Sequence, residues 1–125
     1  MSGLLLKLVL TVVLCGFIHE AGHYLTARFY GEKITFSFSW GARLFGVMPV
    51  PRYVWRFPAR LTIMQRSHVA SAGFATETAM AVLFVLLSMP WATSYTLVAL
   101  LHLFLYPYYA AGSENDFDHI IYVPL

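Results

Sequence analysis

Three long apolar stretches divide the chain. The first runs from Leu4 to about Tyr24, interrupted by Lys7, His19, Glu20 and His23. At about 1.5 Å of rise per residue it is long enough to cross a hydrocarbon core of about 30 Å. The second runs from Val69 to Met89 and is stopped by Pro90, and the third runs from Trp91 to Tyr109. Pro90 ends one helix where the next must begin, so the two stretches predict a helical hairpin of two spans. Between the first and second stretches, Ile34 to Trp40 alternates large apolar with small polar residues, the period of a strand with one buried face. Gly41-Ala42 suits a two-residue turn into a second strand near Arg43 to Val50, which Pro49 and Pro51 would confine to a sheet edge. From Pro51 to Arg66, arginines mix with Tyr53, Trp55 and Phe57, a composition that settles at headgroup depth. The pattern predicts an α-helical membrane protein with three transmembrane helices and a small membrane-associated β-hairpin between the first and second.

Composition narrows the reading. The 125 residues suit a single domain, 1–125. Hydrophobic residues make up 59% and charged residues 11%, with mean hydropathy +0.67; an ordinary soluble domain carries about 25% charged residues. A water-soluble globule and a disordered chain are both excluded. Seven of the eight basic residues lie between positions 28 and 66, where Glu32 is the one acid. That excess reads as a membrane-side loop, and no nucleic-acid partner is expected. The positive-inside rule places the loop 28–66 in the cytoplasm, with the N-terminus outside. The ends of the first and third spans then emerge on that same side, which brings His19 to His23 and Glu114 to His119 to one face. A secretory signal with Lys7 as its basic region is disfavoured, because no small-x-small cleavage site follows. Cys15 is the one cysteine; it can form no intrachain disulfide and says nothing about redox compartment.

The sharpest chemical signal is His19-Glu20-Ala21-Gly22-His23, a match to H-E-x-x-H. Helical i, i+4 spacing points both imidazoles at one metal ion and sets the intervening Glu20 beside the water that the ion would activate. Ionisable residues within one turn of a spanning helix each cost about 2.5 to 3.5 kcal/mol when charged and central, unless something compensates them; metal binding does so. The bland alternative is a polar helix end at the membrane surface. A di-iron site would need a second Glu-x-x-His, which the chain lacks, so zinc is preferred. Catalytic zinc takes three protein ligands and keeps a position for water. His102, in the third span, reads as a core or pore-facing histidine. The segment Ser113 to His119 shares the face of His19 and His23, so the third ligand is expected there, from Asp116 or Asp118.

The chain resembles the site-2 protease family of intramembrane zinc metalloproteases. The resemblance rests on Phe17-Ile18-His19-Glu20-Ala21-Gly22-His23 at the end of a spanning helix and on an Asp motif after the third. Ser71-Ala72-Gly73-Phe74 in the second span and the strand region between the spans belong to it as well. It implies zinc held by His19, His23 and one of the two aspartates. Asp116 is slightly favoured over Asp118, because Ile120 follows it by four residues as an aliphatic does in the family. The family's Leu-Asp-Gly motif is not intact here. Thr76, Glu77 and Thr78 stand near the family's substrate-contacting Asn, which leaves oxyanion stabilisation unassigned. Glu77, an intramembrane acid, is a functional candidate by default, as an orienting partner for a zinc-bound histidine or as a partner for an arginine of the basic loop.

The function implied is hydrolysis of a peptide bond in or near the transmembrane segment of a membrane-protein substrate, with Glu20 as general base. The strand containing Phe36 and Phe38 would hold the unwound substrate by edge pairing. Lipid surrounds the chain, and association with copies of itself is compatible with three spans that bury little surface. The competing reading is a non-enzymatic scaffold or metal-binding protein that keeps the helix and hydrolyses nothing. A metal transporter is a third, although three spans would then require oligomerisation.

Overall fold

The computed structural model describes residues 2–44, 48–56 and 60–109, with side chains for residues 3–35 and 60–106. Among the described residues the chain is mostly helical. In chain order the elements are α1 (Ser2–Phe29), β1 (Thr35–Leu44), β2 (Met48–Arg56), α2 (Ile63–Leu86) and α3 (Ala92–Tyr109).

Two helices are long and apolar enough to cross a membrane, Gly3–Phe29 and Ile63–Leu86. The third expected span coincides with α3, which is apolar over its searched part Ala92–Tyr106. Only 17% of the most apolar window of α1 is buried, and 44% of that of α2. Their outward faces carry Leu6, Leu10, Phe17, Leu25, Val82 and Leu86, all well exposed. Hydrocarbon would cover such a surface, whereas water would not tolerate it.

Local chemistry sets the helix ends. Thr62 opens α2 with a capping box: its Oγ1 accepts from the Gln65 backbone N–H at 3.2 Å, and Gln65 Oε1 accepts from the Thr62 N–H at 2.9 Å. Both α1 and α2 close through a residue in the left-handed region. After α1, Gly31 takes φ 77°, with Gly31 N–H donating to Arg28 O and Glu32 N–H to Ala27 O, each at 3.0 Å. After α2 the same pair of bonds forms around Ser88, at φ 51°: Ser88 N–H donates to Val85 O and Met89 N–H to Phe84 O. These bonds satisfy the last carbonyls of each helix. The turn predicted at Pro90 is present, and α3 starts two residues later.

Between α1 and α2 the backbone of β1 pairs antiparallel with that of β2, Phe36 opposite Trp55 and Phe38 opposite Tyr53. The register shifts between Ser39 and Ala42. Gly41-Ala42 therefore lies in an irregularity inside β1, and the reversal falls after Leu44, not at the expected two-residue turn. Extra residues of this kind are absorbed by bending one strand without ending the ladder. The side chains of Phe36 and Phe38 lie outside the described residues.

The three helices pack along narrow stripes. On α1 every fourth residue is buried, Thr11, Cys15, His19, His23 and Ala27, a single i, i+4 ridge. On α2 the buried face includes Ala70, Phe74, Glu77, Ala81 and Phe84. On α3 it includes Ala92, Tyr95 and Ala99. One apolar cluster joins Cys15, Ala81, Phe84 and Tyr95; a second, of Ala27, Ile34, Leu61 and Val69, closes the end where α1 meets α2.

Candidate metal centre

Glycines bring α1 and α2 together at the site. A Cβ added at Gly22 would stand 2.5 Å from both Ala72 O and Thr76 Oγ1, so α1 lies against the backbone of α2 there. A Cβ added at Gly73 would stand 2.6 Å from His19 Cε1 and Nε2 and 2.7 Å from His23 Nε2. The missing side chain of Gly73 is the space that both imidazoles use.

In that space His19 Nε2 and His23 Nε2 are 3.0 Å apart, and both residues are buried, at 3% and 1% exposure. His23 Nδ1 lies 2.7 Å from Val69 O. A carbonyl only accepts, so Nδ1 carries the proton and the lone pair of His23 is on Nε2. His19 Nδ1 lies 3.1 Å from Glu77 Oε1, an electrostatic contact off the axis of an aligned hydrogen bond. A carboxylate there favours the same tautomer in His19. As the Nδ1–H tautomer His19 turns its Nε2 lone pair towards that of His23, a pair able to hold a metal ion; as the Nε2–H tautomer it donates to His23 Nε2. Tetrahedral zinc with bonds of about 2.0–2.1 Å would set two imidazole nitrogens about 3.3 Å apart, so the pair fits such an ion with a shift of a few tenths of an ångström. A backbone carbonyl and a carboxylate on the far ring nitrogens are the usual supports of metal-ligating histidines. Glu20 is half-buried on α1, about 60° around the helix from His23 at 100° per residue.

Glu77 links this pair to α3. Its Oε1 also accepts from His102 Nδ1 at 2.6 Å, and the His102 ring centroid is 4.8 Å from that of His19. His102 is a part-buried core histidine bonded to Glu77. It belongs to the same buried group as the H-E-x-x-H motif. Of the two roles open to Glu77, the structure shows contact with His19 and His102. Phe74 packs edge-on against His19, with centroids 4.7 Å apart, and Tyr106 lies beyond it. A second donor set overlaps the first: ligand atoms of Cys15, Glu77 and His102 lie within 4.8 Å of one another, a cluster able to hold a metal ion. A cavity of about 280 Å³ between α2 and α3 reaches Glu77 past Phe74, Ala81, Val85, Leu100 and Leu103.

The structure thus brings together His19 and His23, with Glu20 on the adjoining part of α1. Asp116 and Asp118 lie outside the described residues, as does all of the segment Ser113 to His119. Sequence reasoning missed the convergence of Cys15 and His102 on Glu77. A signal was present for Cys15, which stands four residues before His19 and so on the same helix face. For His102 there was none, because the depth at which α3 crosses α1 is set by packing. Comparison with family models, curated proteins and solved structures gave no match.

Proposed function

We propose that the chain is an intramembrane zinc metalloprotease of the site-2 type, which hydrolyses a peptide bond in or near the transmembrane segment of a membrane-protein substrate. The observation that carries this reading is the buried His19–His23 pair, with Nε2 atoms converging at 3.0 Å and the far nitrogens against Val69 O and Glu77. Zinc held there would polarise the scissile carbonyl and activate water. The Glu20 carboxylate takes the proton of the attacking water and returns it to the leaving amine. Asp116 or Asp118 completes the ligand set, with Asp116 first. The proposal includes an integral, multi-pass placement, with the basic segment 28–66 and the site towards the cytoplasm. It also includes a membrane-associated hairpin whose strand at Phe36 and Phe38 holds the substrate extended.

The test is zinc per chain in detergent-purified protein, followed by cleavage of membrane substrates. His23→Ala and one of Asp116→Asn and Asp118→Asn should each lose one zinc equivalent. Glu20→Gln should keep the zinc and lose cleavage. Equal cleavage by Glu20→Gln and wild type would leave a metal-binding scaffold.

A further inference from the structure

The Cys15–Glu77–His102 cluster draws one residue from each helix, and its placement does not depend on whether the chain cuts peptides. Cys15 is 1% exposed and Glu77 is 2% exposed, so a carboxylate and a thiol meet in the middle of a helix bundle. The Glu77 carboxylate meets the Nδ1 atoms of His19 and His102 and lies beside the Cys15 thiol. A buried acid is costly, and a divalent ion offsets that cost directly. Zinc-class bonds of about 2.3 Å to sulfur and about 2.0–2.2 Å to nitrogen or oxygen set ligand atoms about 3.3–3.7 Å apart. The atoms here lie within 4.8 Å of one another. Tyr95, fully buried, belongs to the same core cluster as Cys15, with its hydroxyl beside the thiol.

We propose that Cys15, Glu77 and His102 form a second metal site, adjoining the His19–His23 pair and sharing Glu77 with it. A thiolate, an imidazole and a carboxylate together select a borderline ion of the zinc class over magnesium or calcium. Helices in a bilayer gain little from hydrophobic association, so an ion with one ligand on each of α1, α2 and α3 would clamp the bundle. Binding releases the thiol proton.

The test uses Co(II) as the probe on the full chain in detergent. Cys15 is the one thiol in the sequence, so any near-ultraviolet sulfur-to-cobalt charge-transfer band reports this site alone. Wild type should bind about two ions per chain and show the band. Cys15→Ser should lose the band and one ion. His102→Ala keeps the thiol should Cys15→Ser fail to fold, and it should weaken the banded ion at least tenfold. His23→Ala should lose the other ion and keep the band. Absence of the band in cobalt-saturated wild type would overturn the proposal. So would a total of one ion whose band vanishes in His23→Ala, since a single shared ion would then explain both donor sets. His23→Ala that retains both ions would instead remove the proposed protease centre and leave this site standing.

Discussion

Replacing Gly73 with alanine adds one methyl group at the point where the two imidazoles converge. That carbon would lie 2.6 Å from His19 Nε2 and 2.7 Å from His23 Nε2. Ordinary contact requires about 3.4 Å or more, so each ring must retreat by roughly 0.7–0.8 Å. Neither has an easy path: His23 is tied to Val69 O, and His19 is enclosed by Glu77, Phe74 and His102. Metal sites tolerate errors of about 0.2 Å in ligand distance, and disturbing the support of a ligand typically costs 10- to 100-fold in affinity. Gly73→Ala should therefore weaken zinc at the His19–His23 pair by at least tenfold, about 1.4 kcal/mol, on top of an overpacking cost of about 1–3 kcal/mol. A competitive chelator titration measures the first, and detergent-phase thermal unfolding with metal removed measures the second. Gly16→Ala is the control, because a Cβ at Gly16 on the same helix as the histidines meets nothing within 4 Å; it should leave both quantities unchanged or slightly improved. Wild-type zinc affinity in Gly73→Ala would refute the placement of the two rings against α2.

Other outcomes follow from the same geometry. Glu77→Gln removes the carboxylate that faces His19 and His102 and should lower zinc affinity 10- to 100-fold in the same titration. Gly22→Ala would drive a methyl group into Ala72 O and Thr76 Oγ1; it should destabilise the α1–α2 contact by about 1–3 kcal/mol, read as an earlier transition on unfolding in mixed detergent. Ser88→Gly should stabilise the chain by about 1 kcal/mol, because the residue closing α2 sits at φ 51°, where a side chain is strained and glycine is not. Thr62→Ala removes the hydroxyl that accepts from the Gln65 N–H and leaves the Thr62 backbone N–H able to donate to Gln65 Oε1; it should cost about 0.5–2 kcal/mol in the same unfolding measurement.

The order of residues alone specifies the helices and the first half of the site. Apolar runs interrupted by few charges define helices α1 and α2 because hydrophobicity is a property of the residues in order, and Pro90 ends a helix wherever it stands. His19 and His23 could be paired without coordinates, since four residues along one helix bring two side chains to the same face whatever that helix packs against. The turn at Gly41-Ala42 was misplaced because local turn chemistry does not reveal a register shift between two strands. What the histidines meet is a matter of packing between helices. That Gly73 yields the space for both rings, that Val69 O and Glu77 lie at their far nitrogens, and that His102 reaches the same depth as His19 all depend on how three helices slide and rotate against one another. Those offsets are fixed by the close approach at Gly22 and Gly73 and by the packing of Phe74 and Tyr95, contacts between residues tens of positions apart, to which no spacing along a single helix gives access.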